Sequence, residues 1–339
     1  MFIPIGIVID VSEKVNKMIE HKVPFGQIAS YYLDFTIYFA NLLFPIFLFL
    51  SVIWFTSKLA NNTEIIAILS SGISFSRFLR PYIIGATIVS FSALIMTIFL
   101  VPSASAGFKN FRYTYLNNSG REGMRENSDV FRQISKDEYI FVSNYQEVSK
   151  MAFHFSMEKF EGDKLKYKLI ASRIKWNQKD STYTIYNYNK RKVGAFGDII
   201  ESGEAKDTVF NFDLEDLTPV VYIAETLPLT ELNKFIDKER ARGSSNINVY
   251  LVVLYKKYSI PVSAFILTII AVSVSSMKRR GGMGVNLAIG IILAFAFVFL
   301  DKIFGVLAEK STAPPLLAVW IPNIVFGVLA IYLLRNAKR

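Results

Sequence analysis

Long apolar stretches without a charge alternate with polar, charge-bearing ones along this chain. Residues 35–57, 81–108, 258–277, 281–300 and 311–334 contain no Asp, Glu, Lys or Arg and consist mainly of Leu, Ile, Val, Phe and Ala. A helix needs about 20 such residues to cross the roughly 30 Å hydrocarbon layer of a bilayer. Each run is long enough, so the pattern predicts five full membrane spans. Residues 1–9, "MFIPIGIVI", form a shorter apolar run that ends at Asp10. This run lacks the basic start and small-residue cleavage site of a signal peptide. It reads as the outer end of a sixth span truncated at the N-terminus, with the native start expected upstream of Met1.

The pattern changes between the second and third full spans. Over residues 103–246 the apolar positions alternate instead of running together, in "EYIFVSNY", "MAFHFSMEKF", "LKYKLIASRIKW", "STYTIYNYNKRKV" and "TVFNFDL". Such short runs rich in Tyr, Phe, Ile, Val and Thr, divided by "EGDK", "NQKD" and "GAFGD", predict strands and turns. The expected architecture is therefore an α-helical membrane bundle with an inserted all-β domain, a sandwich or jelly roll. Residues 1–102 would be the N-terminal membrane half and 247–339 the C-terminal one. The stretch "LTELNKFIDKERARGSS" reads as a surface helix trailing the β domain, followed by a flexible joint.

A third kind of segment lies between the first two full spans. "NNTEIIAILSSGIS", residues 61–74, predicts a short helix over 62–71. Asn62 or Thr63 can cap it, Glu64 suits its first turn, and Gly72 can close it in a left-handed conformation. Ile65, Ile68 and Leu69 make a small apolar stripe. Two readings fit: a helix resting on the bilayer surface, or a rigid knob that couples the spans to a separate motor protein.

Charge adds orientation. The chain has 38 Lys and Arg against 28 Asp and Glu, a net charge of +10. The loop at 58–80 and the loop at "KRRGG" each lie one span from the β domain and must share the side opposite it. That side carries Lys58, Arg77, Arg80, Lys278, Arg279, Arg280, Arg335, Lys338 and Arg339. The other short segments carry only Lys14, Lys17, Lys22, Lys302 and Lys310. The basic excess places the shared side, and the C-terminus, in the cytoplasm, with the β domain outside. Scattered basic residues beside spans do not indicate nucleic acid.

Catalytic chemistry is sparse. The chain has no cysteine and two histidines, His21 and His154, far apart in sequence. It has no G-x-x-x-x-G-K-[ST] loop, H-E-x-x-H or G-x-S-x-G, so no motor, zinc enzyme or serine hydrolase is expected within it. Few ionisable residues enter the spans, which disfavours an ion-coupled transporter. Asp34, Asp301 and Lys302 fall near the outer ends of spans. Pro45 and Pro261 could shape a lateral opening between helices.

The C-terminal third, "YKKYSIPVSAFILTIIAVSVSSMKRRGG", "LAIGIILAFAFVF" and "PPLLAVWIPNIVFGVLAIYLLR", resembles the LptF/LptG family of lipopolysaccharide-export permeases of Gram-negative bacteria. Pro314, Pro315, Trp320, Pro322 and Asn323 carry the most specific part. "NTEIIAILSSGISFSRFLRPY" resembles the family's coupling helix, and the strand pattern its jelly-roll domain. The resemblance implies an inner-membrane ABC permease subunit serving outer-membrane biogenesis. It would pair with a second permease of the same type and bind a dimeric cytoplasmic ATPase that supplies ATP and magnesium chemistry; this chain itself would hold no cofactor. It would extract lipopolysaccharide and pass it to a periplasmic jelly-roll bridge. The helix carrying Glu64 would contact the motor. Lys14 and Lys17 could attract lipid phosphates, and the aromatics Tyr139, Phe141, Phe153, Phe155, Tyr167 and Trp176 could line an acyl-chain interior. A membrane-anchored periplasmic scaffold without transport activity is the alternative. Export of another lipid, or a membrane enzyme, fits the residues less well.

Overall fold

The computed structural model describes residues 2–116, 128–146, 149–177, 180–194, 197–212, 222–244, 246–277, 282–310 and 313–337. The basic residues Lys278, Arg279, Arg280, Lys338 and Arg339, used above for orientation, lie outside these. The helices are α1 (Phe2–Glu20), α2 (Phe25–Asn61), α3 (Glu64–Ser70), α4 (Phe75–Leu116), α5 (Ile223–Thr226), α6 (Leu229–Ala241), α7 (Ile247–Ser275), α8 (Gly282–Lys310) and α9 (Pro315–Asn336). Two wider turns, at Met96–Leu100 and Arg112–Leu116, interrupt the regular winding of α4. The chain divides into two compact units, one of residues 1–7, 32–105 and 248–339, the other of residues 8–31 and 106–247. Residues 8–31, read above with the first membrane half, thus cluster with the strands.

Among the described residues, five helices are long and apolar enough to cross a membrane: α2, α4, α7, α8 and α9. In a bilayer a helix is favoured here because it satisfies every backbone polar group within its own segment. The central element is α7, with 67% of its most apolar window buried against 33% or less in the other four. It contributes Leu267, Ile270, Ala271 and Val274 to a core shared with Phe49 and Ile53 of α2, Phe297 of α8 and Phe326 of α9. Gly290 lets α8 approach this core: a Cβ there would run into Ile53 Cδ1. The outward faces stay apolar, with Ile88, Phe91, Phe99, Phe295 and Phe299 all exposed. Such faces suit lipid or a partner helix and would be costly in water.

The second unit is built on one antiparallel meander, β1 (Ser128–Ser135), β2 (Glu138–Gln146), β3 (Met151–Glu161), β4 (Lys164–Asn177), β5 (Thr182–Lys192) and β6 (Ile199–Thr208), in that spatial order. Its inner face packs Val130, Ile140, Val142, Ala152, Phe155, Leu169, Ala171, Ile174, Tyr183 and Ile185 into one core, with Phe210 and Phe212 against it. The "TVFNFDL" run therefore begins where β6 ends; its Phe210 and Phe212 cover the core from beyond the strand. Its last two residues lie outside the described residues. Among the described strands there is a single sheet with neighbour-to-neighbour connections.

A crease crosses the sheet from β1 to β5. Within strands the buried positions step by two, as pleating requires, but from Val142 to Tyr145, Ala152 to Phe155, Ala171 to Ile174 and Ile185 to Tyr188 they step by three. The intervening residues form one row. Pairs Ser128↔Asn144 and Val130↔Val142 bracket Asp129 and Ser143, and the register carries the row on through His154, Ser172 and Asn187. On alternate strands the row residue is left-handed: Asp129, His154 and Asn187 have φ of 51°, 50° and 46°. The serines between them repeat one bond. Ser143 Oγ donates to the Phe153 carbonyl at 3.2 Å, and Ser172 Oγ to the Tyr186 carbonyl at 3.0 Å. Each closes the backbone just before a left-handed residue. The crease thus reverses the pleat in step on neighbouring strands and keeps one face apolar along their full length.

The trailing helix α6 is more than a surface helix. Leu232, Ile236 and Glu239, spaced to share a face, are all buried. Glu239 meets the buried Arg132 of β1 at 3.7 Å, and Gln133 N–H donates to the Arg242 carbonyl at 3.0 Å. At the other edge, β6 has exposed Ile199 and Ile200 among charged side chains. There Lys206, hydrogen-bonded to Glu201 at 2.6 Å, holds that carboxyl below the ordinary carboxylate value and is itself held above the ordinary lysine value.

Candidate functional site

The most distinctive local structure in the helical unit is α3. Thr63 occupies its capping position but is left-handed, with φ 65°, and makes no side-chain capping bond. The capping expected of Asn62 or Thr63 is therefore corrected. The Thr63 hydroxyl donates to the Asn62 carbonyl at 2.6 Å, while Asn62 Nδ2 donates to Glu64 Oε1 at 3.0 Å. Asn62 thereby orients the Glu64 carboxylate instead of the helix backbone. At the far end Gly72 has φ 87°, the left-handed conformation expected of it, and its N–H donates to the Leu69 carbonyl at 3.1 Å.

The apolar stripe of α3 splits. Ile65 is fully buried in a cluster with Ala60, Phe75, Phe78, Leu79, Val272 and Ala337, and Ile68 packs against the same cluster. Leu69 faces outward together with Ile66, at 36% and 49% exposure, beside the exposed Glu64. Ile66 did not stand out in sequence because it lies off the stripe of Ile65 and Ile68. The helix is thus pinned by one face and presents a carboxylate and two aliphatic side chains on the other.

The proline-rich motif is structural. Pro314 caps α9 and Pro315 starts it, a position where the missing N–H costs nothing. Pro322 and Asn323 are buried, Trp320 is half-buried, and Asn323 Nδ2 donates to Ser259 Oγ at 2.8 Å. Ser259 sits two residues before Pro261, inside α7. The motif therefore ties α9 to α7 where each helix carries a proline. Nearby on the same helix, Lys256 pairs with Asp301 of α8 at 3.0 Å, in space left by Gly305. Asp301, read from sequence as an interfacial residue, thus forms a link between helices.

In the strand-bearing unit the expected lipid contacts separate. Lys14 pairs with Asp10, which also accepts from Tyr31 Oη at 3.1 Å. Lys17 Nζ donates to the Leu116 carbonyl at 2.8 Å. Both lysines thus have partners within the chain. Phe155 is fully buried at the heart of the inner cluster, and Tyr167 and Trp176 pack against it. Phe141 and Phe153 are half-buried and lie outside that cluster. Phe141 faces Phe131 of β1, which is half exposed on the opposite face. Phe141 alternates with the buried Ile140 and Val142 and so faces away from them, while the left-handed His154 separates Phe153 from the buried Phe155. Among the described residues no group of His, Asp and Glu side chains could hold a metal ion.

Five membrane-length helices with a β unit inserted between the second and the third define a multi-pass membrane protein carrying a β domain. The profile of the lipopolysaccharide export system permease LptF/LptG matches residues 1–336. The chain belongs to the LptF/LptG family, whose members are permease subunits of lipopolysaccharide export. No curated protein matches it.

Proposed function

We propose that this chain is one half of a permease pair that extracts lipopolysaccharide from the inner membrane, driven by a separate dimeric ATPase docked on α3. The observation that carries the reading is the split of α3: Ile65 locked into the cluster behind it, Glu64, Ile66 and Leu69 held outward. A helix pinned in this way transmits displacement to α2 and α4, which flank it in the chain. ATP and magnesium then belong to the motor.

On this reading the loops bearing Lys58, Arg77 and Arg80 and the C-terminus are cytoplasmic, α1 acts as a sixth membrane element, and residues 103–246 form a periplasmic jelly-roll-like domain. The one-sided apolar core around Phe155, kept continuous by the crease, is suited to acyl chains once the sheet curls. The β6 edge offers main-chain groups to the sheet of a periplasmic bridge protein. Lys14 and Lys17 lie where lipid phosphates would arrive, and their internal bonds are the ones such phosphates would replace.

The test is purification of the tagged chain from its own membranes with gentle detergent. The proposal expects a nucleotide-binding protein, a second permease and lipopolysaccharide to accompany it. Glu64→Lys and Ile66→Asp should each release the nucleotide-binding protein and leave the second permease bound. Recovery with periplasmic proteins alone, unaffected by either substitution, would favour an anchored scaffold.

A further inference from the structure

Behind α3 the helical unit contains a second feature, unrelated to the motor face. An apolar groove of about 650 Å³ runs between α2 and α4, closed at one side by Ile68 of α3 and Thr268 of α7. Its size falls within the roughly 300–1,000 Å³ of small-molecule sites. Among the described residues lining it, Arg77 is the only charged one. Arg77 sits in the first turn of α4, and the groove follows that helix to Val89. Twelve residues of helix cover about 18 Å, slightly more than half of the roughly 30 Å hydrocarbon layer. On α2 the lining runs from Leu48 to Leu59, a closely similar length. At the end of α2 that leads into α3 and Arg77, Lys58 turns its Nζ to 5.8 Å from the ring of the exposed Trp54, an arrangement suited to the membrane–water interface.

We infer that this groove binds one acyl chain of a membrane glycerophospholipid, with the phosphate on Arg77. The cation stands where a headgroup lies, the apolar wall continues about one leaflet deep, and lipid is the medium in contact with these two spans. A polar small molecule would leave its hydrogen-bonding groups unmet along the wall, where Thr268 and Tyr82 are the uncharged polar residues available. Ile68 forms part of the wall, so a bound chain touches the inner side of α3. The site itself is independent of the motor reading and needs no nucleotide.

The chain in nanodiscs of phosphatidylethanolamine and phosphatidylglycerol, doped with a phospholipid bearing a photoreactive acyl chain, tests this directly. Adducts should map to residues 48–59 and 77–89, and extra unlabelled phospholipid should compete while diacylglycerol, which lacks the phosphate, should not. Gly85→Phe fills the groove: a Cβ at Gly85 meets nothing within 4 Å. It should cut labelling at least tenfold, and Arg77→Gln should cut it severalfold while Arg77→Lys preserves it. Equal competition by diacylglycerol, unchanged labelling in Gly85→Phe, or groove residues that crosslink to a protein segment instead of lipid would each overturn the inference. The competition arm uses the unsubstituted chain, so it decides even if Gly85→Phe fails to fold.

Discussion

Replacing Arg132 by Met removes one partner of a fully buried ion pair and tests what holds α6 to the sheet. Arg132 and Glu239 are both inaccessible, with Nη2 and Oε2 3.7 Å apart, and Arg242 offers Glu239 a second cation at 3.4 Å. Taking one partner from a buried pair costs about 3–5 kcal/mol, because the remaining charge stays in a dry site. Arg242 remains beside Glu239, which puts the loss near the lower end, about 3 kcal/mol, or a roughly 100-fold increase in local opening. Hydrogen–deuterium exchange of the full chain in nanodiscs reads this at the Gln133 amide, whose acceptor is the Arg242 carbonyl at 3.0 Å. Amides at the C-terminal end of α6 should accelerate with it. The double substitution Arg132→Met with Glu239→Leu leaves no charge at the two fully buried positions, with only the partly exposed Arg242 losing a partner, and should recover most of the protection, since apolar replacements of buried pairs are often neutral. Wild-type exchange in Arg132→Met, or a double variant that opens further than the single one, would refute the reasoning.

Other substitutions probe the two cores. Gly290→Ala should lower the thermal unfolding temperature of the detergent-solubilised chain, by an overpacking cost of about 1–3 kcal/mol, because its Cβ meets Ile53 Cδ1. Ile53→Val deletes that methyl and should restore stability in the Gly290→Ala background; a double variant weaker than either single one would contradict the packing assigned here. At the crease, His154→Val should destabilise the sheet by about 1–2 kcal/mol, the cost of forcing a bulky residue left-handed, while Asn187→Gly should be neutral or stabilising. Limited proteolysis of the strand-bearing unit measures both, and the reverse order would refute the left-handed row.

The membrane helices were legible because a hydrocarbon layer imposes a length and forbids charge, which leaves a mark on composition that needs no partner information. Strands β2 to β5 were legible for a related reason: each alternates around turn residues such as Gly162. Strands β1 and β6 were not picked out. The run "IIESGEAKDT" in β6 is an exposed edge whose side chains are mostly solvated, so no apolar period marks it. Arg132 of β1 occupies a buried place where it pairs with Glu239, more than 100 residues away. The same limit explains Lys256 with Asp301 and Asn323 with Ser259, pairs whose members look unremarkable until helices are brought together. On α3, sequence located the helix and its glycine stop. The left-handed Thr63 and the outward turn of Ile66 accompany the burial of Ile65 in a cluster with Phe75, Phe78 and Val272, which no local pattern encodes. Phe153 lies outside the inner cluster although Phe155, two residues on, is at its heart, because the left-handed His154 breaks the alternation between them.

The central claim is that the chain moves lipopolysaccharide under the power of a separate ATPase. The most direct measurement places a photoreactive phenylalanine at Tyr167, half-buried against the inner cluster of the sheet, in the complex purified from its own membranes and reconstituted with lipopolysaccharide. The account predicts a lipopolysaccharide adduct at that position that accumulates with ATP and is lost when Glu64→Lys uncouples the motor. An adduct that forms equally without nucleotide, or none under any condition, would contradict it.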